Sequence, residues 1–379
     1  MASKFRLFTK HFFIYCNIIV VFFFLLSCLA PYLNPQKWWL ISLLGLMFPV
    51  LLLLVILFLA WWLIILKPRI ALVSGIALLL SFYSIIVFFA FHMTGGFRYK
   101  KEPGTIRVLT WNVDRFIEMK RNNNKGSQAR LKMFDLIKQQ DADVLCLQEF
   151  HTSTLADFYD NITPIQKELN YPYFYFSFDT DGDNLFYSSI IFSRYPIIDS
   201  GFIRYPRPTL PDVLLHADIK VNNDTIRIYT THLQSLQLGR KDYEKINKIT
   251  SVEDSMLSNS RSILSKLKRG ISNRSIQADI IREMLEDSPH PVLMCVDLND
   301  VPNSYTYHTV RANMQDAFLK KGFGIGRTFT GLSPTLRIDY IFADKHFKIK
   351  QFNRIVKNLS DHYMLVTDVQ LKTPVPKGK

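Results

Sequence analysis

The chain has 379 residues, 48% of them hydrophobic, and 46 Lys and Arg against 32 Asp and Glu give it a net charge of +14. With four Cys, 15 Gly and a mean hydropathy of +0.07, the composition excludes a disordered tail protein, a collagen-like fibre and a small disulfide scaffold. It is too apolar for an ordinary soluble enzyme, and a sequence pI near 9.5 suits either a phosphate-bearing partner or an anionic membrane surface.

The position of the charges is more informative than their sum. The first acidic residue is Glu102, and nine basic residues precede it: Lys4, Arg6, Lys10, Lys37, Lys67, Arg69, Arg98, Lys100 and Lys101. The rest of the chain keeps an excess of only five positive charges. Three uncharged apolar runs fill the N-terminal region, at residues 11–30, 38–66 and 70–92. A helix needs about 20 apolar residues to cross a bilayer, so residues 1–95 read as an integral membrane anchor of about three transmembrane helices. A cleaved signal peptide does not fit, because two further spans follow the first. The positive-inside preference puts Lys4, Arg6, Lys10, Lys67 and Arg69 in the cytoplasm and leaves Lys37 outside. Three crossings then place everything after residue 93 on the extracytoplasmic side, the periplasm for a bacterial inner membrane. Arg98, Lys100 and Lys101 run against that orientation. Cys16 and Cys28 lie in the first run, and Cys146 and Cys295 in later apolar runs, so no disulfide framework is expected.

Residues 96–103 read as a linker, 104–372 as one domain, and 373–379 as a tail. Strands are expected at Thr105–Trp111, Val144–Leu147, Ser188–Phe192, His216–Val221, Thr225–Thr231, Val292–Val296, Leu336–Phe342 and Met364–Leu371, from their Val, Ile, Tyr and Thr content. Arg130–Gln139 reads as a helix with Leu131, Phe134, Leu136 and Ile137 on its apolar side. Strands interspersed with helices over this length predict an α/β domain with sheets packed face to face. A helical stretch at about 236–287 interrupts the rhythm, with Ile263, Leu267 and Ile271, then Ile276, Ile280 and Met284, at steps of four. It carries Arg240, Lys241, Lys245, Lys248, Arg261, Lys266, Lys268, Arg269 and Arg274 against Asp242, Glu244, Glu253 and Asp254. Such a run is usually a solvated helix face; the alternative is a basic rim beside an active site or against anionic lipid.

Polar side chains recur where the apolar strands end: Asn112 and Asp114 in TWNVD, Glu149 in LCLQEF, His232 in YTTHLQ, Asp297 and Asn299 in CVDLND, Asp339 in RIDYIF, and Asp361 and His362 in LSDHYML. Singly, each has an ordinary structural explanation, as a turn former, an Asx-turn residue or a bonded histidine. Together they form the pattern expected when several strands converge on a hard cation. Mg²⁺ takes oxygen ligands, usually one or two carboxylates with water and substrate phosphate oxygens. Glu149 with Asp114, Asn112 or Asp361 has the chemistry for such a set.

With these motifs in order, the chain resembles the endonuclease/exonuclease/phosphatase superfamily over roughly residues 104–372. TWNVD is similar to its opening WN motif, ADVLCLQE to its metal-glutamate motif, IIFSRYPI to its central SR-P strand, TTHLQ to its THL motif, VDLND to its GDFN motif, RIDYIF to its D-Y strand and SDHYML to its closing SDH motif. The resemblance implies a four-layered α/β sandwich, two face-to-face mixed β-sheets with outer helices, and metal-dependent phosphoester hydrolysis with Mg²⁺ or Mn²⁺. It implies Glu149 as principal metal ligand, assisted by Asn112 and Asp114, with Asp361 near the metal. Asp297 would orient or deprotonate the attacking water, and Asn299, His232 and His362 would contact the phosphate. His362 would also be an acid/base group, and Asp339 the carboxylate that fixes a histidine. Two departures stand out. Val296 replaces the Gly of GDFN, and Tyr229, the counterpart of a tyrosine of the apurinic endonuclease branch, lies three residues before His232, on the opposite face of a regular strand. The expected function is a membrane-anchored, nuclease-like phosphodiesterase. The alternatives are a hydrolase of lipid headgroups or small phosphoesters, and a catalytically silent domain on a membrane scaffold.

Overall fold

The computed structural model describes residues 2–92, 96–121, 128–182, 184–209, 212–236 and 256–372. The tail at 373–379 lies outside the described residues, as do Arg240, Lys241, Asp242, Glu244, Lys245, Lys248, Glu253 and Asp254 of the basic stretch. The chain divides into two compact units. One comprises Met1–Phe88, Ser235–Ser275 and Val301–Thr309, and the other Phe89–Gln234, Ile276–Asp300 and Val310–Lys379.

The first unit is built on helices α1 (Ala2–Ser27), α2 (Pro35–Leu46), α3 (Phe48–Ile64), α4 (Pro68–Leu80) and α5 (Phe82–Phe88). The apolar runs at 38–66 and 70–92 are each broken, α2 and α3 meeting at 52° and α4 and α5 at 61°. Pro49 stands in the first turn of α3 at the first break, where its missing N–H cannot continue the bonding of α2. At the second, Ser81 Oγ donates to the Leu78 carbonyl at 3.1 Å, which competes with the helix's own bonding. Among the described residues, one helix, over Phe5–Tyr32, is long and apolar enough to cross a membrane alone, and there are up to three spans if each bent pair acts as one. Ser74 Oγ donates to Asn17 Oδ1 at 2.9 Å between α4 and α1. The Phe48 ring stacks on Phe24 at 5.5 Å and meets Phe88 edge-on at 5.6 Å.

Two later segments pack within this same unit. Gln36 Nε2 donates to the Ser272 carbonyl at 3.1 Å and to Ser275 Oγ at 3.3 Å. The Lys268 ammonium sits 5.1 Å from the centre of a Trp39 ring, and Tyr32 meets His308 edge-on at 4.9 Å. Gly45 is needed where it stands, since a Cβ there would lie 2.6 Å from the Asn303 carbonyl oxygen.

The second unit carries the strands. In chain order they are β1 (Ala90–Phe91), β2 (Ile106–Asn112), β3 (Val144–Ser153), β4 (Tyr173–Phe176), β5 (Leu185–Ser193), β6 (Ile197–Arg204) and β7 (Val213–Val221). They continue with β8 (Asp224–His232), β9 (Val292–Asp297), β10 (Gln315–Asp316), β11 (Phe323–Gly324), β12 (Asp339–Ala343), β13 (Phe347–Ile355) and β14 (Met364–Leu371). The later helices are α6 (Ala129–Gln140), α7 (Ile162–Lys167), α8 (Met256–Glu286), α9 (Tyr305–Arg311) and α10 (Ala317–Lys321). Two six-stranded mixed sheets result, in the orders β13-β14-β2-β3-β5-β4 and β10-β12-β9-β8-β7-β6.

Each sheet has one parallel pair at its heart, β2 with β3 and β8 with β9. Parallel neighbours need a crossover of a dozen residues or more. Helix α6 lies in the first crossover, and the second contains α8, whose C-terminal half from Ile276 belongs to this unit. The described part of the stretch at 236–287 thus lies in the connection between β8 and β9. Among its described apolar side chains, Ile271, Ala278 and Ile281 are buried, while Ile263, Leu267, Ile276, Ile280 and Met284 of the expected stripe are only half-buried.

Val108, Cys146, Ile191, Leu215, Ile228, Cys295 and Leu365 fill the space between the sheets. A second core places Leu109, Leu145 and Leu147 of the first sheet against Met133, Phe134 and Ile137 of α6. The α/β sandwich with flanking helices is thus the one expected. Cys146 and Cys295 are buried and free. Several strand limits differ from the sequence reading. Strand β3 continues through Glu149 to Ser153, and β12 begins only at Asp339, the Ile338 N–H being taken by Thr328 Oγ1 rather than by a neighbouring strand. Strands β4, β6 and β13 were not expected. Strand β6 has no fully buried residue, so its sequence lacks a continuous apolar signal.

Two buried polar contacts hold this unit in register. Gln148 Nε2 donates to Thr110 Oγ1 and Thr230 Oγ1, both at 3.0 Å, which ties the two sheets together. Arg107 forms a bidentate pair with Asp368, Nε at 2.6 Å and Nη2 at 2.9 Å, with both side chains out of solvent. Truncating one partner of such a pair strands the other charge, at a cost of about 3–5 kcal/mol. Arg107→Met is therefore expected to lower the unfolding temperature of the full chain sharply. Adding Asp368→Asn is expected to restore part of it, as read by circular dichroism.

Candidate active site

All the strand-end residues gather at one edge because of strand direction. Asn112 and His232 end β2 and β8, and Asp297 ends β9, parallel to β8. Strands β12 and β14 are antiparallel to these, so their starts lie at the same edge. Asp339 opens β12 opposite Asp297, and Asp361 and His362 precede β14. Glu149 lies within β3 at a register shift between Leu147 and Phe150, in the left-handed region with φ 49°. This bulge re-aims the carboxylate toward the cluster.

Asn112 is the link between the sheets. Its Nδ2 donates to Glu149 Oε1 at 3.1 Å and to Asp297 Oδ2 at 3.0 Å, and its Oδ1 accepts from Asp114 N at 3.1 Å. Asp297 Oδ1 accepts from Asn299 N at 2.9 Å, an Asx turn that holds Asn299 at φ 50°. Val296 lies in the regular part of β9, paired with Tyr340, so no Gly is required there. Residues Asp114, Arg115, Phe116 and Ile117 all have positive φ, between 43° and 63°. Four such non-glycine residues in succession are strained, and strain of this kind concentrates at functional sites.

Each histidine is paired with a carboxylate. His362 Nδ1 lies 2.9 Å from Asp339 Oδ2 and 3.7 Å from Asp297 Oδ2. His232 Nδ1 lies 3.3 Å from Asp212 Oδ2, while its Nε2 is 3.6 Å from Glu149 Oε1 and 3.7 Å from Asp297 Oδ2. Asn299 Nδ2 sits 2.9 Å from His232 Nε2 and donates to the Leu233 carbonyl at 2.9 Å. With its nitrogen so committed, Asn299 favours a neutral His232 that accepts at Nε2 and donates to Asp212 from Nδ1. Burial also disfavours the charged ring, yet Asp212, Asp297 and Glu149 outweigh it and push the pKa up to about 10. A cation beside Glu149 would remove part of that pull and leave the neutral form that the amide geometry prefers.

The donor chemistry fits a hard divalent cation. Glu149, Asp114 and Asp361 supply carboxylates and Asn112 an amide oxygen. Burial first, then the charges of Asp361 and Glu149, push the Asp114 carboxyl up to about 6. Asp361 is also raised, by burial and then by Glu149 and Asp297 against the opposing pull of His362. This is negative charge in want of a counter-ion. Asp297, Asp339 and His362 likewise bring a ligand atom each within 4.8 Å of one another, so a buried acidic and imidazole cluster is present. Its members already bond to one another and to Asn112 and Asn299, whereas the carboxylates around Asp114 do not neutralise each other.

Tyr229 is not brought to this cluster. Its hydroxyl donates to the Met284 carbonyl of α8 at 3.1 Å, on the outer side of the second sheet, because side chains three apart on a strand face opposite ways. Three contributors were missed in the sequence. Asp212 immediately precedes β7 and meets His232 because β7 and β8 are antiparallel. Ser360 Oγ donates to the Asn112 carbonyl at 2.8 Å, and Arg115 stacks 4.4 Å over the Tyr187 ring. A carboxylate just before an apolar strand was the available signal for Asp212.

Burial of the His362 ring opposes protonation, but Asp339, Asp297 and Asp361 overcome it and push the pKa up to about 10. A histidine raised above its unfolded value of about 6.5 contributes stability that is fully present below pH ~6.5 and lost as pH rises through the folded value. In the metal-free chain, His362 is therefore expected to stay protonated through neutral pH and to titrate near 10. Asp339→Asn is expected to move that titration down, as followed by NMR of labelled histidine.

The endonuclease/exonuclease/phosphatase family model matches residues 109–362, and a model for a domain of unknown function matches residues 10–88. No curated protein sequence matches significantly. Among solved structures, an endonuclease/exonuclease/phosphatase from Beutenbergia cavernae is 19% identical with a TM-score of 0.52, covering 70% of this chain and 72% of that one. A humanised D. rerio TDP2 is 17% identical at TM-score 0.49, covering 70% and 99%, respectively. The human Nocturnin catalytic domain with bound sulfate is 18% identical at 0.48, covering 71% and 94%. The family match takes in every motif from the end of β2 to His362, and the chain belongs to the endonuclease/exonuclease/phosphatase family, which in general comprises metal-dependent phosphoester hydrolases.

Proposed function

We propose that the chain is a membrane-anchored, Mg²⁺-dependent phosphoester hydrolase of phosphodiesterase type. The observation that carries this reading is the Asn112 amide, which donates to Glu149 of its own sheet and to Asp297 of the facing sheet. Glu149, Asp114, Asn112 and Asp361 would hold the cation, which would supply charge to offset the phosphate oxygens and help activate water. Asp297, held by Asn112 and Asn299, orients the attacking water and takes its proton. The phosphate displaces the contact between Asn299 Nδ2 and His232 Nε2, so that Asn299 donates to a nonbridging oxygen and His232, protonated at Nε2 on release, donates to another. His362, held by Asp339, donates a proton toward the phosphate or its leaving group.

We further place the catalytic unit outside the cytoplasm, on a bacterial inner membrane. Of the three charges that oppose this orientation, Lys101 is neutralised by Asp143 at 2.6 Å and Asp141 at 3.7 Å, and Arg98 approaches Glu102 at 3.7 Å. Cations engaged by the folded domain have a structural role besides any topological one.

A second reading, hydrolysis of a lipid headgroup rather than nucleic acid, is favoured by two observations. The segments that leave β8 and β9, Ser235–Ser275 and Val301–Thr309, belong to the unit of apolar helices. The expected basic rim is also partly spent, since Arg274 is buried and Lys268 lies over Trp39.

Full-length protein with Mg²⁺ is expected to release nitrophenol from bis-p-nitrophenyl phosphate. Glu149→Ala and His362→Ala are each expected to reduce turnover by about 10²–10⁴-fold, and Tyr229→Phe to leave it within about threefold. No turnover with Mg²⁺ or Mn²⁺, or full activity in Glu149→Ala, would sink the enzymatic reading. Plasmid DNA and phospholipid vesicles assayed side by side separate the two substrate readings. An alkaline phosphatase fusion at residue 100 is expected to be active, and an inactive fusion refutes the outside placement.

A further inference from the structure

A cavity of about 400 Å³ in the catalytic unit lies at the opposite end of β2 from the candidate active site. Thr105, beside the start of β2, lines it, and Asn112 ends β2 in the candidate site. Seven residues of strand separate the two by roughly 20 Å. Four cations line the cavity, Arg98, Lys100, Lys321 and Lys350, against two carboxylates, Glu102 and Asp368.

Both acids are already engaged, and neither reaches Lys100. Asp368 is committed to Arg107 behind the wall, and it also accepts from Gln351 Nε2 at 2.6 Å. Glu102 alone serves both Arg98, at 3.7 Å, and Lys350, at 3.1 Å. Among the described residues, Lys100 has no carboxylate within ion-pair distance and is exposed. The wall itself is built, since Gln351 Oε1 accepts from Arg98 N at 3.0 Å and Gln351 Nε2 donates to the Arg98 carbonyl at 2.9 Å. Gly96, the first lining residue, follows the end of α5 by only eight residues in sequence. Clustered Lys and Arg just beyond an apolar helix attract anionic headgroups.

We propose that this cavity is a non-catalytic binding site for a phosphate ester anion, supplied by an anionic phospholipid headgroup or by free phosphate. It does not depend on the hydrolase reading, because none of its residues belongs to the candidate catalytic set.

The test follows the unfolding temperature of the full-length protein in neutral detergent with EDTA, at constant ionic strength. The probes are dihexanoyl phosphatidylglycerol, dihexanoyl phosphatidylcholine and inorganic phosphate. Phosphatidylglycerol is expected to raise the unfolding temperature saturably, with phosphatidylcholine inert. Half-saturation is expected to weaken about tenfold in Lys100→Glu and less in Lys100→Gln, and to stay unchanged in Glu149→Ala. A rise with inorganic phosphate that is equally sensitive to Lys100 identifies free phosphate as the source; a rise with phosphatidylglycerol alone identifies the lipid. Both Lys100 variants are expected to keep the ligand-free unfolding temperature and turnover of bis-p-nitrophenyl phosphate, and Lys100→Gln serves if Lys100→Glu does not fold. Equal responses in wild type and the Lys100 variants, loss of the response in Glu149→Ala, or no response to any probe overturns the proposal.

Discussion

Asp297 is fully buried, and a carboxylate removed from water without partners is costly. Much of the architecture at this edge can be understood as its compensation. Asn112 comes from the facing sheet to donate to one oxygen, and the Asn299 backbone turns into the left-handed region to donate to the other. The rings of His232 and His362 flank it, both 3.7 Å from Oδ2. The two sheets must therefore face each other in one register, and Gln148, bonded to Thr110 and Thr230 in the layer beneath, fixes that register.

Strand direction turns this compensation into a site. Parallel pairing of β2 with β3 and of β8 with β9 brings the ends of β2, β8 and β9 and the bulge of β3 to the same edge. Antiparallel β12 and β14 bring their starts there. The crossovers that parallel pairing demands are correspondingly long. The second leads through α8, whose N-terminal half packs in the unit of apolar helices. Helix α8 thus contributes to both units, as one consequence of topology.

The negative charge is not evenly relieved. Asp297 and Asp339 have hydrogen-bond donors around them, whereas Asp361 and Glu149 raise the cost of ionising Asp114, and Glu149 and Asp297 that of ionising Asp361. That asymmetry separates an internally satisfied acid/base cluster from a carboxylate group suited to a cation. At the other end of β2 cations predominate, with both lining carboxylates already engaged and Lys100 beyond their reach. The unit therefore has two electrostatically unfinished surfaces of opposite charge, one at each end of its central strand.

Much of this was legible in the sequence. The apolar runs, the strands that carry Asn112, His232, Asp297 and His362, and the order of the motifs follow from composition and alternation, which are local properties. Residue pattern could also argue against Tyr229, since period-two alternation sets it opposite His232. Other features required tertiary structure, because they depend on residues distant in sequence. The bulge at Glu149 exists only against β5, and the Asp212 contact only because β7 and β8 run antiparallel. The consumption of Lys268 and Arg274 by packing is of the same kind. Sequence determined which groups were available and in what order along each strand. Only the tertiary structure decided which of them share a few ångströms of space, because hydrogen bonding and charge compensation act through distance in the fold rather than along the chain.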